Sequence, residues 1–253
     1  MKSNKPQDFD KIWLELSEKG GEASNFCSDD KRYYLIKNKI EQTILEKIIR
    51  EHENFLNKRN AVDLGCGTGR LSFFLESIGF DVVGVEWSTN FFRHALRIKE
   101  NMRSKVNFLK KDVFEFMQEA DQQYEVVITS GLLCNYEDDI LDRFFTLLPS
   151  ITKSESIILI KEHIPRITTT IKSIHDIIEV KFRTKQDWEK IFKKFNMYGK
   201  FLLCDPIFYT LFGKNPTYSK LAHFLIKFEK LIAIPDSFFN KVRSYWIVCK
   251  YKQ

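Results

Sequence analysis

At 253 residues, 43% of them hydrophobic and 29% charged, the chain can bury one sizeable core and reads as a folded domain rather than a disordered one. The net charge of +6 is unevenly spread: residues 181–253 carry fifteen Lys/Arg against five Asp/Glu, which leaves residues 1–180 net acidic. No run of about 18 apolar residues suggests a membrane span, and the opening MKSNKPQDFDKIW lacks the apolar stretch of a signal peptide. Cys27, Cys66, Cys134, Cys204 and Cys249 form no CxxC pair. Neither a disulfide framework nor a metal site is expected, and a cytoplasmic location fits that cysteine usage.

In chain order, DFDKIWLELSEKG predicts a first helix, followed by a polar Gly-Gly loop. KNKIEQTILEKIIREH spaces Ile40, Ile44, Leu45, Ile48 and Ile49 as one helical face, with its charges expected on a solvated face. From Ala61 strands alternate with helices. The strands are AVDLG, FDVVGVEW, VNFLKKDV, YEVVITSG and SIILIKEH; the helices between them are RLSFFLESIG, TNFFRHALRIKENM, FEFMQEA and DDILDRFFTLLPSI. Val/Ile-rich strands separated by helices predict an α/β fold with a mostly parallel sheet covered on both faces. TKQDWEKIFKKFN continues as a helix, and GKFLLCDPIFY and RSYWIVCKYK supply two more strands. The segment between those strands is too long for a hairpin and carries an apolar stripe, Leu221, Phe224, Leu225, Phe228, Leu231 and Ile232, at helical spacing.

The densest signal is NAVDLGCGTGR, residues 60–70, with Gly65, Gly67 and Gly69 directly behind the first strand. Such clustering marks backbone that a ligand approaches closely. The spacing is D-x-G-x-G-x-G from Asp63, one residue tighter than the G-x-G-x-x-G of a dinucleotide site. It resembles the first motif of class I S-adenosylmethionine-dependent methyltransferases.

That resemblance implies a Rossmann-like seven-stranded sheet of order 3-2-1-4-5-7-6, the last strand antiparallel, with S-adenosyl-L-methionine as cofactor. The glycine turn with Cys66 would wrap the methionyl end. Asp63 would balance the ammonium, and Arg70 would pair with the carboxylate. Glu86, closing the second strand, would accept the ribose hydroxyls. Asp112 would receive the adenine amino group, between Trp87 and Val113 as apolar walls. Residues 128–136, with Ser130, would border both cofactor and acceptor. The expected organisation is a single methyltransferase domain over 1–253. An N-terminal helical cap covers 1–58, a cofactor-binding core 59–165, and a substrate-shaping part 166–253 with a helical insertion at 209–241 over the active site.

Methyl transfer to a hydroxyl or protonated amine calls for a general base, for which His163, Glu162 and Tyr136 are the candidates; Asn135 sits in the same loop. Glu162 and His163 alternate along a strand, so only one is expected to face the cleft. No proline-containing signature of amino-methylating DNA enzymes and no Pro-Cys pair follows the fourth strand, and no RNA-binding module accompanies the basic segment. The expected acceptor is a small molecule, an anionic one suiting the basic C-terminal segment. Nucleic acid is not expected, and peripheral membrane contact is open to 216–239. A second resemblance, to α-N-terminal protein methyltransferases, rests on FDKIW, GCGTGR and IILIKEHI and would assign Trp13, Arg70 and Glu162. The same residues also leave room for a non-catalytic cofactor-binding scaffold or an oxidoreductase.

Overall fold

The computed structural model describes residues 31–172, 179–204 and 243–252. Helix α1 (Lys31–Glu51) precedes strand β1 (Asn60–Leu64), and a regular alternation follows: α2 (Arg70–Ser77), β2 (Asp81–Glu86), α3 (Thr89–Met102), β3 (Asn107–Lys110), α4 (Val113–Glu119), β4 (Tyr124–Ser130), α5 (Asp138–Leu147) and β5 (Thr152–Ile164). A two-stranded hairpin, β6 (Thr169–Lys172) and β7 (Glu179–Phe182), intervenes before α6 (Lys185–Lys194), β8 (Met197–Leu203) and β9 (Arg243–Tyr251).

The main sheet has the order β3-β2-β1-β4-β5-β9-β8. β1 to β5 are parallel, β9 is antiparallel to both β5 and β8, and β8 therefore runs with the others. Counted without the separate hairpin, this is the expected 3-2-1-4-5-7-6. The hairpin itself was not anticipated. The predicted first helix, Trp13, the apolar stripe from Leu221 to Ile232 and the 209–241 insertion lie outside the described residues.

Side-chain alternation along the strands divides the core into two layers. Val62, Leu64, Ile158 and Ile160 face α4, α5 and α6 through Phe114, Met117, Phe144, Trp188 and Phe192. Ala61, Ile157, Leu159 and Trp246 face α1, α2 and α3 through Leu45, Ile48, Leu75 and Ala95. Both layers are apolar because a parallel sheet has no wet face. One correction concerns α1. Its charges are not all solvated, since Lys37 and Glu41 continue the Leu45–Ile48 stripe at i, i+4 spacing and are buried at its upper end.

The parallel register brings the ends of the first five strands to one edge. Asp63 pairs with Gly84, Glu86 with Lys110, and Ser130 with Lys161. At the opposite edge, buried Glu125 fixes the chain where it enters β1. Its carboxylate accepts from the backbone N–H groups of Asn57 (3.1 Å), Lys58 (2.9 and 3.0 Å) and Arg59 (2.9 Å). Truncation would strand three donors around a void, and hydrogen bonds to a charged group contribute about 1.5–3 kcal/mol each. Glu125→Ala is expected to lower stability by about 2–4 kcal/mol in urea denaturation; an unchanged midpoint would show that these N–H groups find other partners.

Candidate functional site

The glycine turn adopts a conformation that L side chains resist. Gly65, Gly67 and Gly69 have φ of 68°, 58° and 83°, all in the left-handed region. Space is as restrictive as torsion. A Cβ on Gly69 would lie 2.5 Å from the Phe108 ring, and one on Gly65 3.1 Å from Leu132. Phe108 can tuck beneath the turn because Gly84 has no side chain; a Cβ there would lie 2.6 Å from Phe108 and 3.1 Å from the Cys66 sulfur. Phe73 completes the support, meeting Phe108 edge-on at 5.4 Å.

Glu86 anchors this turn. Its Oε2 accepts from Gly67 N–H at 2.8 Å and its Oε1 from Ser88 N–H at 2.7 Å. Asp63, on the same edge, accepts from the Ser72 hydroxyl at 2.7 Å. Both carboxyls are buried, and burial raises them, Glu86 to about 7 and Asp63 to about 6. Asp63, Gly65, Cys66, Gly67, Arg70, Leu71 and Ser130 line a small cavity at the strand ends. Cys66 contributes backbone rather than chemistry, because burial and the two neighbouring carboxylates push its thiol up and keep it protonated.

Arg70 lines this cavity while its guanidinium engages α1: Nη1 donates to Asn38 Oδ1 at 2.6 Å and Nη2 pairs with Glu41 Oε2 at 3.0 Å. Glu41 also pairs with Lys161 of β5 at 3.0 Å. Burial alone would raise Glu41, but Lys161, Arg70 and Lys37 outweigh it and hold the carboxyl below its usual range. Sequence reasoning missed Glu41, Lys37 and Lys161. The available signal was two charged residues extending an apolar helical stripe.

On the other side of Glu86, Asp112 caps α4 through Oδ1, accepting from Phe114 (2.7 Å) and Glu115 (3.3 Å) N–H groups. Val113 is buried at the first position of that helix, and the half-buried Trp87 has the Lys110 ammonium 5.9 Å above its ring. Tyr136 belongs to this side too. Its ring packs on Phe114 at 5.5 Å and Phe144 at 6.3 Å, and burial, with Asp112 and Glu86 nearby, raises its hydroxyl far above the ordinary range. A phenol so held does not take protons at neutral pH.

The fourth strand ends at Ser130 and Gly131. Gly131 has φ 66°, and among the described residues a Cβ there would meet nothing within 4 Å. Glu162 and His163 diverge, as their alternation requires. Glu162 Oε1 accepts from Leu133 and Cys134 N–H groups at 2.9 and 3.2 Å, and burial raises its carboxyl to about 7. His163 lies on the α1 side, its Nδ1 3.0 Å from the Ser244 hydroxyl and its ring edge-on to Phe182 at 5.6 Å. Burial, assisted by Lys37 and Lys161, holds it well below the usual imidazole range and therefore neutral. Arg183, also missed from sequence, is buried just behind the hairpin and reaches the same loop. Among the described residues no cluster of His, Cys, Asp and Glu could hold a metal ion, and no helix is long and apolar enough to cross a membrane.

Comparison with known proteins places this geometry. A family model described as a methyltransferase domain matches residues 56–200, more than half of the chain. Ubiquinone biosynthesis O-methyltransferase of Rickettsia felis is 32% identical over 134 residues, which cover 51% of this chain and 52% of that protein. The enzyme of the same name from Rickettsia bellii is 33% identical over 95 residues, 38% of each chain. The matched stretch thus spans about half or less of these relatives. Among solved structures, 1,6-didemethyltoxoflavin-N1-methyltransferase of Burkholderia thailandensis, bound to 1,6-didemethyltoxoflavin and S-adenosylhomocysteine, superposes with a TM-score of 0.63. It is 10% identical, with 100% of this chain and 93% of that one covered. Magnesium protoporphyrin IX methyltransferase from Synechocystis PCC 6803, solved with S-adenosylmethionine, gives 0.56 at 13% identity, covering 98% and 92%. At such identities the likeness is one of fold. The chain therefore belongs to the methyltransferase-domain family, with the fold of the class I S-adenosylmethionine-dependent enzymes.

Proposed function

We propose that the chain transfers a methyl group from S-adenosylmethionine to an oxygen or nitrogen of a small molecule. The observation that carries this reading is the 2.8 Å bond between Gly67 N–H and Glu86, with Asp63 on the same cavity. Two buried carboxyls and a left-handed glycine turn converge where a ligand with an ammonium, two vicinal hydroxyls and a close-fitting backbone would satisfy them. The names of the Rickettsia relatives favour an oxygen acceptor. The excess of Lys/Arg in residues 181–253 favours an anionic one.

The cofactor supplies an electrophilic methyl on a sulfonium. What remains for the protein is alignment and proton removal. In this reading Asp63 takes the ammonium, Glu86 the ribose hydroxyls, and Asp112, Val113 and Trp87 the base. Of the three base candidates, Tyr136 is held protonated, and Glu162 holds two backbone N–H groups through Oε1. His163 is neutral and has one unprotonated nitrogen, and the burial and the Lys37 and Lys161 charges that keep it so make it a weak base.

Incubation with methyl-labelled cofactor and the small-molecule fraction of a bacterial lysate is expected to give a labelled small product. Label confined to protein bands would favour a peptide acceptor, and cofactor binding without any transfer would favour a scaffold. His163→Ala is expected to slow transfer by about 10²–10⁴-fold with S-adenosylhomocysteine affinity unchanged; full activity would remove His163 as the base.

Cofactor affinity should also depend on pH. Glu86 and Asp63 are raised in the free protein, and a ligand that donates hydrogen bonds or positive charge to them favours their ionised forms. Binding then expels protons below about pH 7, so affinity for S-adenosylhomocysteine weakens as pH falls. A loss of about 10–100-fold is expected between about pH 8 and pH 5.5 by calorimetry, with Glu86→Gln removing the upper part of the dependence. A flat profile would show that neither carboxyl senses the ligand.

A further inference from the structure

We infer that Arg183 and Glu162 form a bracket that fixes the loop from Gly131 to Tyr136 on the acceptor side, so that both are positioning residues and Glu162 is not the proton acceptor. The purpose given to the loop rests on the methyltransferase reading above; the bracket itself rests on geometry alone.

The loop contains one short helical turn, Leu133–Asn135. From β5, Glu162 Oε1 takes the N–H groups of Leu133 (2.9 Å) and Cys134 (3.2 Å). From behind β7, Arg183 donates to the carbonyls of Leu133 (Nη1, 3.3 Å) and Tyr136 (Nη2, 2.7 Å) and to Asp138 Oδ1 (2.8 Å). Leu133 thus has its N–H held by a carboxyl and its carbonyl held by a guanidinium, delivered by different elements. Both charged side chains are buried, Glu162 at 2% and Arg183 at 3% exposure. Glu162 makes no ion pair among the described residues and its Oε2 has no hydrogen-bond partner there; the Cys134 side chain, the two N–H groups and the Lys161 charge offset part of its desolvation. Such an arrangement has a fixed polarity: an acceptor beneath the N–H end and donors beneath the C=O end.

The loop's position matters on both sides. Leu132 forms the wall beside position 65, where a Cβ would lie 3.1 Å from it, so moving the loop moves the wall of the cofactor turn. The hairpin adds a second link, Lys181 to Asp138 at 2.7 Å, and turns its opposite face, Phe182, onto His163. One element thereby sets the acceptor loop and the candidate base together. The β6–β7 hairpin is a small separate sheet outside the main one, and through the bracket it registers the acceptor against the cofactor.

Cys134 supplies a direct readout, because it sits in the bracketed turn and is 7% exposed. Iodoacetamide alkylation is followed by mass spectrometry on the intact chain with saturating S-adenosylhomocysteine, with Cys249, fully buried in β9, as the control for global opening. Arg183→Ala is expected to speed alkylation of Cys134 at least tenfold over Cys249. It should also raise the KM for the lysate small-molecule fraction more than it lowers kcat, while Arg183→Lys recovers part of both. Glu162→Gln, whose amide oxygen still accepts both N–H groups, is expected to retain transfer within about tenfold and to keep Cys134 protected; Glu162→Ala is not.

Unchanged Cys134 reactivity in Arg183→Ala overturns the bracket. So does loss of transfer in Glu162→Gln with Cys134 still protected, which would return Glu162 to the role of base. If Cys249 opens equally in Arg183→Ala, the same comparison in Arg183→Lys decides, selective exposure of Cys134 being the expected result. Failure of the wild-type chain to bind S-adenosylhomocysteine would overturn the functional reading instead, and the alkylation comparison would still judge the bracket without ligand.

Discussion

The structure depends on the tie between the tip of β2 and the turn after β1, where the Val85 carbonyl takes the Gly65 and Cys66 N–H groups and Glu86 takes that of Gly67. Glu86 reaches across to Gly67 N–H, presented by left-handed backbone that glycine adopts most readily. Everything around the tie is arranged to make room for it. Gly84 yields space to Phe108, Phe108 supports Gly69, and Leu132 closes against Gly65. A turn packed this tightly from beneath has little freedom to relax, and the Gly65, Cys66, Gly67 and Gly69 N–H groups are already engaged within the protein. The conformational cost of ordering the site is met in folding rather than in binding.

Electrostatics completes the preorganisation. Asp63 lines the cavity and Glu86 closes the neighbouring strand; burial raises both carboxyls, with Arg70 and Lys110 offsetting only part of it. Arg70 is near, but its guanidinium is paired with Glu41. The Glu41–Arg70–Lys161 cluster balances one fully buried carboxylate with two cations and joins α1, α2 and β5. It stiffens the rim from the α1 side, as the Glu162–Arg183 bracket stiffens it from the opposite face. The edge of the sheet is therefore held by charges on both layers, while the layers themselves are apolar. Buried ion pairs of this kind add little net stability.

Much of this is legible in the sequence. Strand–helix alternation and the apolar β1–β5 segments predict the parallel sheet, and D-x-G-x-G-x-G with Glu86 and Asp112 falls at the edge where its parallel strands end. Those signals are local, because a strand's period and a glycine's torsional freedom are written in adjacent residues. The hairpin is not legible: TTIK and EVKF are short and pair only with each other, so neither carries a core-facing pattern. Arg183 is invisible for a related reason. Besides Asp138, its partners are backbone carbonyls 47 and 50 residues away, and no side-chain pattern announces a backbone acceptor. Lys37 and Glu41 are visible but misleading, since charge on an amphipathic helix ordinarily means solvent and here means a buried cluster.

The most direct measurement is a crystal structure of the chain with S-adenosylhomocysteine. The account requires the ribose hydroxyls within about 3 Å of the Glu86 carboxylate and the ammonium beside Asp63, with the glycine turn unmoved. A nucleoside bound away from the β1 and β2 tips, or a turn that must unfold from Glu86 to admit it, would contradict it.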